Sequence, residues 1–124
     1  MDIKIQLAKF PDNFYKAYHK KNWSKVEKLL SDDFKYFTDN FTVMDKPGFM
    51  EFSKSVEWEG KLFRVSELNV MISKGEDFAV LSYKIYFEGV YDRNDVTVEA
   101  IETLVLNKEK TDWKIVHFHI SNKL

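Results

Sequence analysis

The sequence predicts a single α+β domain in which a helical N-terminal third precedes a long antiparallel sheet. Apolar residues recur at helical spacing in the first third of the chain, and from Lys61 onward the period changes to two. Four predicted strands follow, joined by the short polar segments SKGED, DRND and KEKTD. Because such short links connect antiparallel neighbours, we expect a meander with the helices packed on one of its faces.

Three helices are predicted before the meander. The apolar face of the first consists of Phe10, Phe14, Ala17 and Tyr18, with Pro11 at its start or at a kink. Asn22 is predicted to cap the second, whose inward residues are Trp23, Val26, Leu29 and Leu30, and the segment SDDF ends it. Asp45 is predicted to cap the third, with Pro47 in its first turn.

The predicted strands fall into two groups. Two short ones, near residues 34–37 and 41–44, flank a turn at Asp39 and Asn40. The four long strands are predicted near residues 61–73, 78–91, 96–108 and 113–121.

Composition narrows the class of protein. A chain of 124 residues with 44% hydrophobic residues is sufficient for one domain, residues 1–124, with one core. The net charge of −1 argues against nucleic acid as a partner, and the absence of cysteine excludes disulfides and thiolate chemistry. We find no signal peptide and no apolar run that could span a membrane, so we expect a soluble cytoplasmic protein.

Strand alternation separates an apolar face from a mixed one. On the second long strand, the apolar set is Leu81, Tyr83, Ile85 and Phe87. On the third, the set is Val96, Val98, Ala100, Glu102, Leu104 and Leu106. On the last, strict alternation places Val116, Phe118 and Ile120 opposite Trp113, Ile115, His117 and His119. The apolar sets are expected to line the concave, helix-covered face.

The mixed set of the last strand predicts an interface. Trp113 and Ile115 are too apolar for a freely solvated face, and His117 and His119 are predicted to point the same way. An outer sheet face with this composition suits contact with a second copy of the chain. We therefore predict a homodimer through Trp113, Ile115, His117 and His119.

The two histidines have other possible roles. Their i, i+2 spacing puts both imidazoles on one side of a strand, where a metal would need a third ligand such as Glu99 or Thr103. An acid–base role is a second alternative. Histidines hydrogen-bonded in the sheet or the dimer contact are the simplest interpretation, and we expect no metal and no cofactor.

Glu102 is the one charge that breaks the apolar pattern of the long strands. A buried acid is costly unless it is paired or neutral, which makes Glu102 the best candidate for a perturbed pKa. It is either a pocket carboxylate acting as acid, base or ligand anchor, or a structural group paired with a cation or a backbone amide.

The whole chain resembles the SnoaL-like group of the nuclear transport factor 2-like superfamily. The resemblance rests on a helical first third followed by LSDDF, a helix opening with KPGF, and a final strand WKIVHFHIS. The segments GED at 75–77, ET at 102–103 and W..VHFH at 113–119 are similar to the association (hub) domain of calcium/calmodulin-dependent kinase II. The resemblance implies a cystatin-like α+β barrel: a cone-shaped, curved antiparallel sheet wrapped around helices, with a pocket, in a dimer.

The functional residues of these relatives transfer poorly. The hub domain's pocket arginines align with Ile85, Leu104 and Ile120, which are apolar. The tyrosine of the related ketosteroid isomerases aligns with Phe14, one step from Tyr15. The base of those enzymes aligns with Thr38, one step from Asp39, and one step along a strand is the opposite face.

These observations predict a small hydrophobic ligand in an apolar pocket, with no nucleic acid and no membrane as partner. The expected pocket residues are Phe14, Tyr18, Tyr36, Thr38, Tyr83, Ile85, Phe87, Leu104, Phe118 and Ile120, beside Glu102. Two alternatives stay open. One is an isomerase, dehydratase or cyclase that acts on a hydrophobic carbonyl compound with Glu102 as acid or base, and the other is a hub-like oligomerisation module with a filled pocket.

Overall fold

The computed structural model describes residues 2–123 as four helices and six strands. The helices are α1 (Ile3–Ala8), α2 (Phe10–His19), α3 (Trp23–Lys28) and α4 (Lys46–Ser55). The strands are β1 (Leu30–Phe37), β2 (Val43–Asp45), β3 (Trp58–Ile72), β4 (Phe78–Tyr91), β5 (Asn94–Glu109) and β6 (Asp112–Asn122).

Side-chain caps start the helices where the sequence predicts. The Asn22 side chain accepts a hydrogen bond from the Lys25 amide, and the Asp45 side chain accepts one from the Gly48 amide. Both predicted caps are therefore confirmed. The first predicted helix is α2, with Pro11 in its first turn, and a separate short helix α1 precedes it, because Lys9 is the C-cap of α1 and the N-cap of α2.

The six strands form one curved sheet that does not close, in the order β2-β1-β6-β5-β4-β3. Strands β3 to β6 pair antiparallel in sequence order, which confirms the predicted meander. Strand β1 pairs parallel to β6 and antiparallel to β2. The predicted α+β class is confirmed.

The end of the second predicted helix is wrong. Helix α3 stops at Lys28, and Leu30 and the SDDF segment belong to β1. Leu30 is fully buried and pairs with Ile115 of β6, so a long-range strand contact prevails over the local helical pattern.

The concave face of the sheet carries the predicted inward residues of β4 and β5. Leu81, Tyr83 and Ile85 are buried, as are Ala100, Glu102, Leu104 and Leu106. Their strands lie in register across this face, with Tyr83 opposite Glu102 and Leu81 opposite Leu104.

Strand β6 corrects the predicted alternation. Val105 pairs with His117 and Leu106 pairs with Ile115, so Val116 is an extra residue, a β-bulge. The bulge puts Trp113 and Ile115 on the same side as Phe118, and all three are buried in the core. The prediction that Trp113 and Ile115 share the outer face with His117 and His119 is therefore wrong, as is the inward grouping of Val116 with Phe118 and Ile120.

Two ends of the concave face differ in how they are filled. The packed end comprises Leu81, Leu104, Leu106, Trp113 and Ile115, which share one buried cluster with Leu7 and Phe10 of the first two helices. The open end comprises Phe87, Val90, Tyr91, Val96 and Val98, which line a cavity. At this end β4 and β5 join through Asp92 and Arg93, whose φ values of 49° and 68° fit a two-residue type I′ turn.

Candidate functional site: a cavity with a buried carboxylate

A cavity of about 330 Å³ opens between helices α2 and α4 and the open end of the concave face. Its wall is almost entirely apolar and aromatic. The lining residues are Tyr15, Tyr18, His19, Tyr36, Phe52, Ser53, Val56, Trp58, Ile85, Phe87, Val90, Tyr91, Val96, Val98, Glu102 and Ile120. A smaller cavity of about 120 Å³ continues from it past Phe14, Phe49 and Phe118.

Glu102 lies on the wall of both cavities and is only 2% exposed. The Tyr15 hydroxyl donates to its carboxylate at 2.6 Å from each oxygen. The Tyr83 hydroxyl donates to Oε1 at 2.7 Å. Two phenols, one from α2 and one from β4, therefore hold the acid where the helix crosses the sheet.

Burial governs the charge of Glu102. Loss of hydration raises the pKa of its carboxyl from 4.5 to about 7, while the hydrogen bonds from Tyr15 and Tyr83 oppose that rise. Burial, followed by the nearby Glu102 charge, raises the pKa of both Tyr15 and Tyr83 well above 10. At neutral pH the tyrosines are therefore neutral donors, and Glu102 exchanges readily between its two forms.

A second group of contacts fixes the aromatic part of the wall where α2 and α4 meet the start of β3. The Tyr18 hydroxyl donates to Ser53 Oγ at 2.8 Å, and Trp58 Nε1 donates to the Ser53 carbonyl at 3.1 Å. The Tyr18 and Trp58 rings stack with their centroids 5.1 Å apart. Ser53 is itself buried, and it accepts the hydrogen bonds of both the Tyr18 hydroxyl and Trp58 Nε1. The two rings therefore present apolar faces to the cavity.

His19 lines the cavity and has one buried ring nitrogen. Among residues 2–123, its Nε2 has no hydrogen-bond partner, and burial lowers the pKa of the imidazole. The ring packs between Phe63 and Phe87 at centroid distances of 4.7 and 5.0 Å. It also lies on Gly60, where a Cβ would come within 2.5 Å of Nδ1, so glycine is required there.

The structure brings most of the predicted pocket residues to the cavities. Tyr18, Tyr36, Ile85, Phe87 and Ile120 line the larger one, and Phe14 and Phe118 line the smaller one. Tyr83 reaches the site through its hydrogen bond to Glu102. That these residues contact a ligand stays a prediction.

Two predicted pocket residues lie elsewhere. Leu104 is fully buried in the packed end and lines neither of the two cavities. Thr38 lies in the turn between β1 and β2, where its hydroxyl bonds to Asn40 and the Thr42 carbonyl. Asp39 is exposed and accepts from the Asn122 amide at 3.0 Å, away from the cavity.

Sequence reasoning missed the contributions of Tyr15, His19, Ser53 and Trp58 to this site. Tyr15, Tyr18 and His19 have i, i+3, i+4 spacing, which places them on one face of α2. That spacing is the signal that would have found Tyr15 and His19. Phe14 and Ala17, however, mark an adjacent apolar face of the same helix. No local signal marks Ser53 or Trp58.

His117 and His119 lie on the outer side of β6, away from the cavity. The His117 ring stacks on Phe37 of β1 with a centroid distance of 4.8 Å. Burial, with a smaller effect of His119, lowers the pKa of His117. Within residues 2–123, no three histidine, aspartate or glutamate side chains cluster as metal ligands would.

These features define a class of small α+β domains with a curved sheet, helices on its concave side and a cavity at one end. The family model for the SnoaL-like domain matches residues 7–123, and the chain belongs to this family. A comparison with curated protein sequences gives no match. In the part of the chain that is described, no helix has the length and apolarity needed to cross a bilayer.

Solved structures share the fold at low sequence identity. An NTF2-like protein from Cytophaga hutchinsonii is 16% identical with a TM-score of 0.90, over 99% of this chain and 100% of that one. The CaMKII hub homology domain of Chlamydomonas reinhardtii is 19% identical with a TM-score of 0.82, over 100% of both chains. ActVI-ORFA from Streptomyces coelicolor is 5% identical with a TM-score of 0.78, over 98% of this chain and 97% of that one.

Proposed function

We propose that the protein binds a small, largely apolar molecule in the cavity, with the polar group of that molecule directed at Glu102. The observation that carries the proposal is an open cavity of about 330 Å³ whose apolar wall contains one buried carboxylate. Ligand sites in proteins combine this kind of apolar wall with a few convergent polar groups. The Tyr15 hydroxyl adds a second polar group beside Glu102 on the wall.

A catalytic role is the second candidate. A carboxyl with a pKa of about 7 is matched to proton transfer at neutral pH. In such a reaction the Glu102 carboxylate takes a proton from the carbon next to a carbonyl group, the electron pair of that C–H bond forms a carbon–carbon double bond, and the π pair of the carbonyl moves to its oxygen. Once Glu102 is protonated it needs the Tyr15 hydrogen bond less, and the Tyr15 hydroxyl becomes free to donate to the new oxyanion.

A hub-like role with a filled pocket has less support. The cavity is open, and apolar residues stand where the hub domain's pocket arginines align: Ile85 and Ile120 on the cavity wall and Leu104 in the core. The likeness to the hub homology domain concerns the fold alone.

Thermal-shift screening tests the binding proposal. We expect hydrophobic compounds with one polar group to raise the Tm of the wild type. Val98→Phe, which places a larger ring in the cavity, should abolish the shift, whereas Glu99→Gln on the outer face of the same strand should retain it. Failure of every compound in a chemically broad panel, or equal shifts with Val98→Phe, would contradict binding in this cavity.

Hydrogen exchange tests the catalytic candidate. Exchange of the acidic methylene protons of β-tetralone into deuterated buffer, followed by NMR, should be faster with the wild type than with buffer alone. Glu102→Gln should remove the acceleration and Glu99→Gln should not. A wild-type rate equal to that of buffer, over several hydrophobic ketones, would leave binding as the function.

Self-association through the outer sheet face is a further part of the proposal. Apolar side chains are exposed on this face: Val43 lies beside Phe37, which stacks on His117, and Val43 and Ile101 are 55% and 54% exposed. A second copy of the chain would cover them. Light scattering should give a dimer mass for the wild type and a monomer mass for Ile101→Lys, and a wild-type monomer at micromolar concentration would refute the dimer.

A further inference from the structure

The cavity carries one acid and no fixed cation. Its lining, taken from the described residues 2–123, includes Glu102 and the imidazole of His19 but no lysine and no arginine. The hydrogen-bond partners of Glu102 are neutral phenols, and it forms no ion pair with any of the described residues. An ionised Glu102 is therefore a buried negative charge without a positive partner.

This negative charge makes the cavity favour a ligand cation over a ligand anion. A ligand anion would face an uncompensated, buried carboxylate across a space with an apolar wall, where repulsion between charges is stronger than in water. A ligand cation would supply the missing partner and favour the ionised form of Glu102. Oε1 accepts hydrogen bonds from both tyrosines whereas Oε2 accepts only from Tyr15, so Oε2 keeps acceptor capacity for a third donor.

The aromatic wall suits a cation as well. Tyr15, Tyr18, Tyr36 and Trp58 surround the cavity, and the faces of such rings attract ammonium groups. The Trp58 ring already attracts one ammonium group, because Lys21 Nζ lies 4.8 Å from its centroid. Lys21 itself is not part of the cavity lining. A small organic cation with an apolar body would thus find a counter-ion and favourable walls in the same space.

We propose that the preferred occupant of the cavity is a hydrophobic amine in its protonated form, whose ammonium group donates to the Glu102 carboxylate. This inference rests on the proposed binding function and specifies the chemical class of the ligand. The apolar body of the amine fills the open end of the concave face, against Phe87 and Val98.

Among the titratable groups that face the cavity from residues 2–123, Glu102 has a pKa of about 7 and changes charge between pH 6 and 8. Tyr15 and Tyr18 on α2, Tyr36 on β1 and Tyr83 on β4 stay neutral because burial raises each pKa. Burial lowers the pKa of His19 on α2, which favours its neutral form. Amine affinity should therefore rise with pH as Glu102 ionises, and fall again when the amine loses its own proton near pH 10, roughly as lysine does.

Three compounds with one apolar body test the inference: phenylpropylamine, phenylpropanol and phenylpropanoate. Calorimetric titration of the wild type at pH 8 should show the amine binding roughly tenfold more tightly than the alcohol, because charge-assisted hydrogen bonds are about twice as strong as neutral ones. The propanoate should bind most weakly. At pH 5.5 the preference for the amine should shrink, since Glu102 is then mostly protonated.

Two variants complete the design. Glu102→Gln keeps the shape of the side chain and should remove most of the preference for the amine over the alcohol, while Glu99→Gln removes the same charge from the outer face of β5 and should leave that preference unchanged. Alcohol binding equal to amine binding in the wild type would overturn this inference and leave the proposed binding function intact. No binding by any of the three compounds would also overturn this inference, and the thermal-shift panel then decides whether the proposed binding function stands.

Discussion

The packed and open ends of the concave face are built from the same kinds of side chain, yet one is solid and the other holds a cavity. Leu104 and Val98 point the same way from β5, on either side of Glu102. Leu104 is fully buried among core residues, whereas Val98 is partly exposed on the cavity wall. Alternation along a strand therefore predicts which face of the sheet a residue occupies. The helices packed on that face decide whether the space beside the residue is filled.

The position of Glu102 follows from this difference. At the packed end a carboxylate would have no room for a partner, and at the rim it would be hydrated. Between the two, the Tyr15 and Tyr83 hydroxyls reach it, and the cavity gives it access to a ligand. At the boundary between the two ends, an acid is therefore both desolvated and accessible to a ligand.

Truncation at the two ends should give the largest contrast. Leu104→Ala leaves a hole in a close-packed region and should lower the free energy of unfolding by about 3–4 kcal/mol. Val98→Ala removes methyl groups that face the cavity and should cost under about 1 kcal/mol. Urea denaturation measures both, and similar losses per carbon removed would mean that the two ends are equally packed.

The pH dependence of stability should be almost as large. Because the pKa of Glu102 rises from 4.5 to about 7 on folding, its contribution is fully present below pH 4.5 and is lost as the pH rises to about 7. The loss amounts to about 3 kcal/mol. The difference in unfolding free energy between wild type and Glu102→Gln should change by this amount between pH 4.5 and 8, in favour of the variant at high pH.

Urea titrations of both proteins at several pH values isolate this effect, since the other ionisable groups cancel in the difference. Glu99→Gln provides the matched control, with the same change of charge at an exposed position of the same strand. A difference that stays constant with pH would show that Glu102 keeps an ordinary pKa and is not desolvated.

Several of these features were predictable from sequence because they depend on local pattern. Alternation on β4 and β5 places Tyr83 and Glu102 on the concave face, and the caps Asn22 and Asp45 are readable from residue type. The bulge at Val116 is not readable, because it arises where β6 pairs with β5 and no glycine marks it. The hydrogen bond between Tyr15 and Glu102 joins residues 87 positions apart, which no local pattern encodes.

The two tyrosines that bond to Glu102 should differ in their effect on its ionisation. Removing either donor raises the pKa of Glu102 further, and Tyr15→Phe should do so more than Tyr83→Phe because Tyr15 bonds to both oxygens. Each loss should cost about 1.5–3 kcal/mol at pH 8, where the acceptor is charged, and less at pH 5.

Carbon-13 NMR of the Glu102 carboxyl group reads the titration directly. Tyr36→Phe is the control, because its hydroxyl lines the same cavity and has no hydrogen bond to Glu102 in the described structure. A midpoint that stays unchanged or falls in Tyr15→Phe would mean that the phenol does not stabilise the carboxylate.

Enlarging a side chain gives the smallest effect at the open end and a clear one at the packed end. Val98→Leu adds a methylene group to the cavity wall and should change the unfolding free energy by under about 0.5 kcal/mol, since it displaces only solvent. Ala79→Val at the packed end has no such space and should cost about 1–3 kcal/mol. If Val98→Leu is as costly as Ala79→Val, the open end is filled in solution, and the cavity cannot receive a ligand without a rearrangement of its walls.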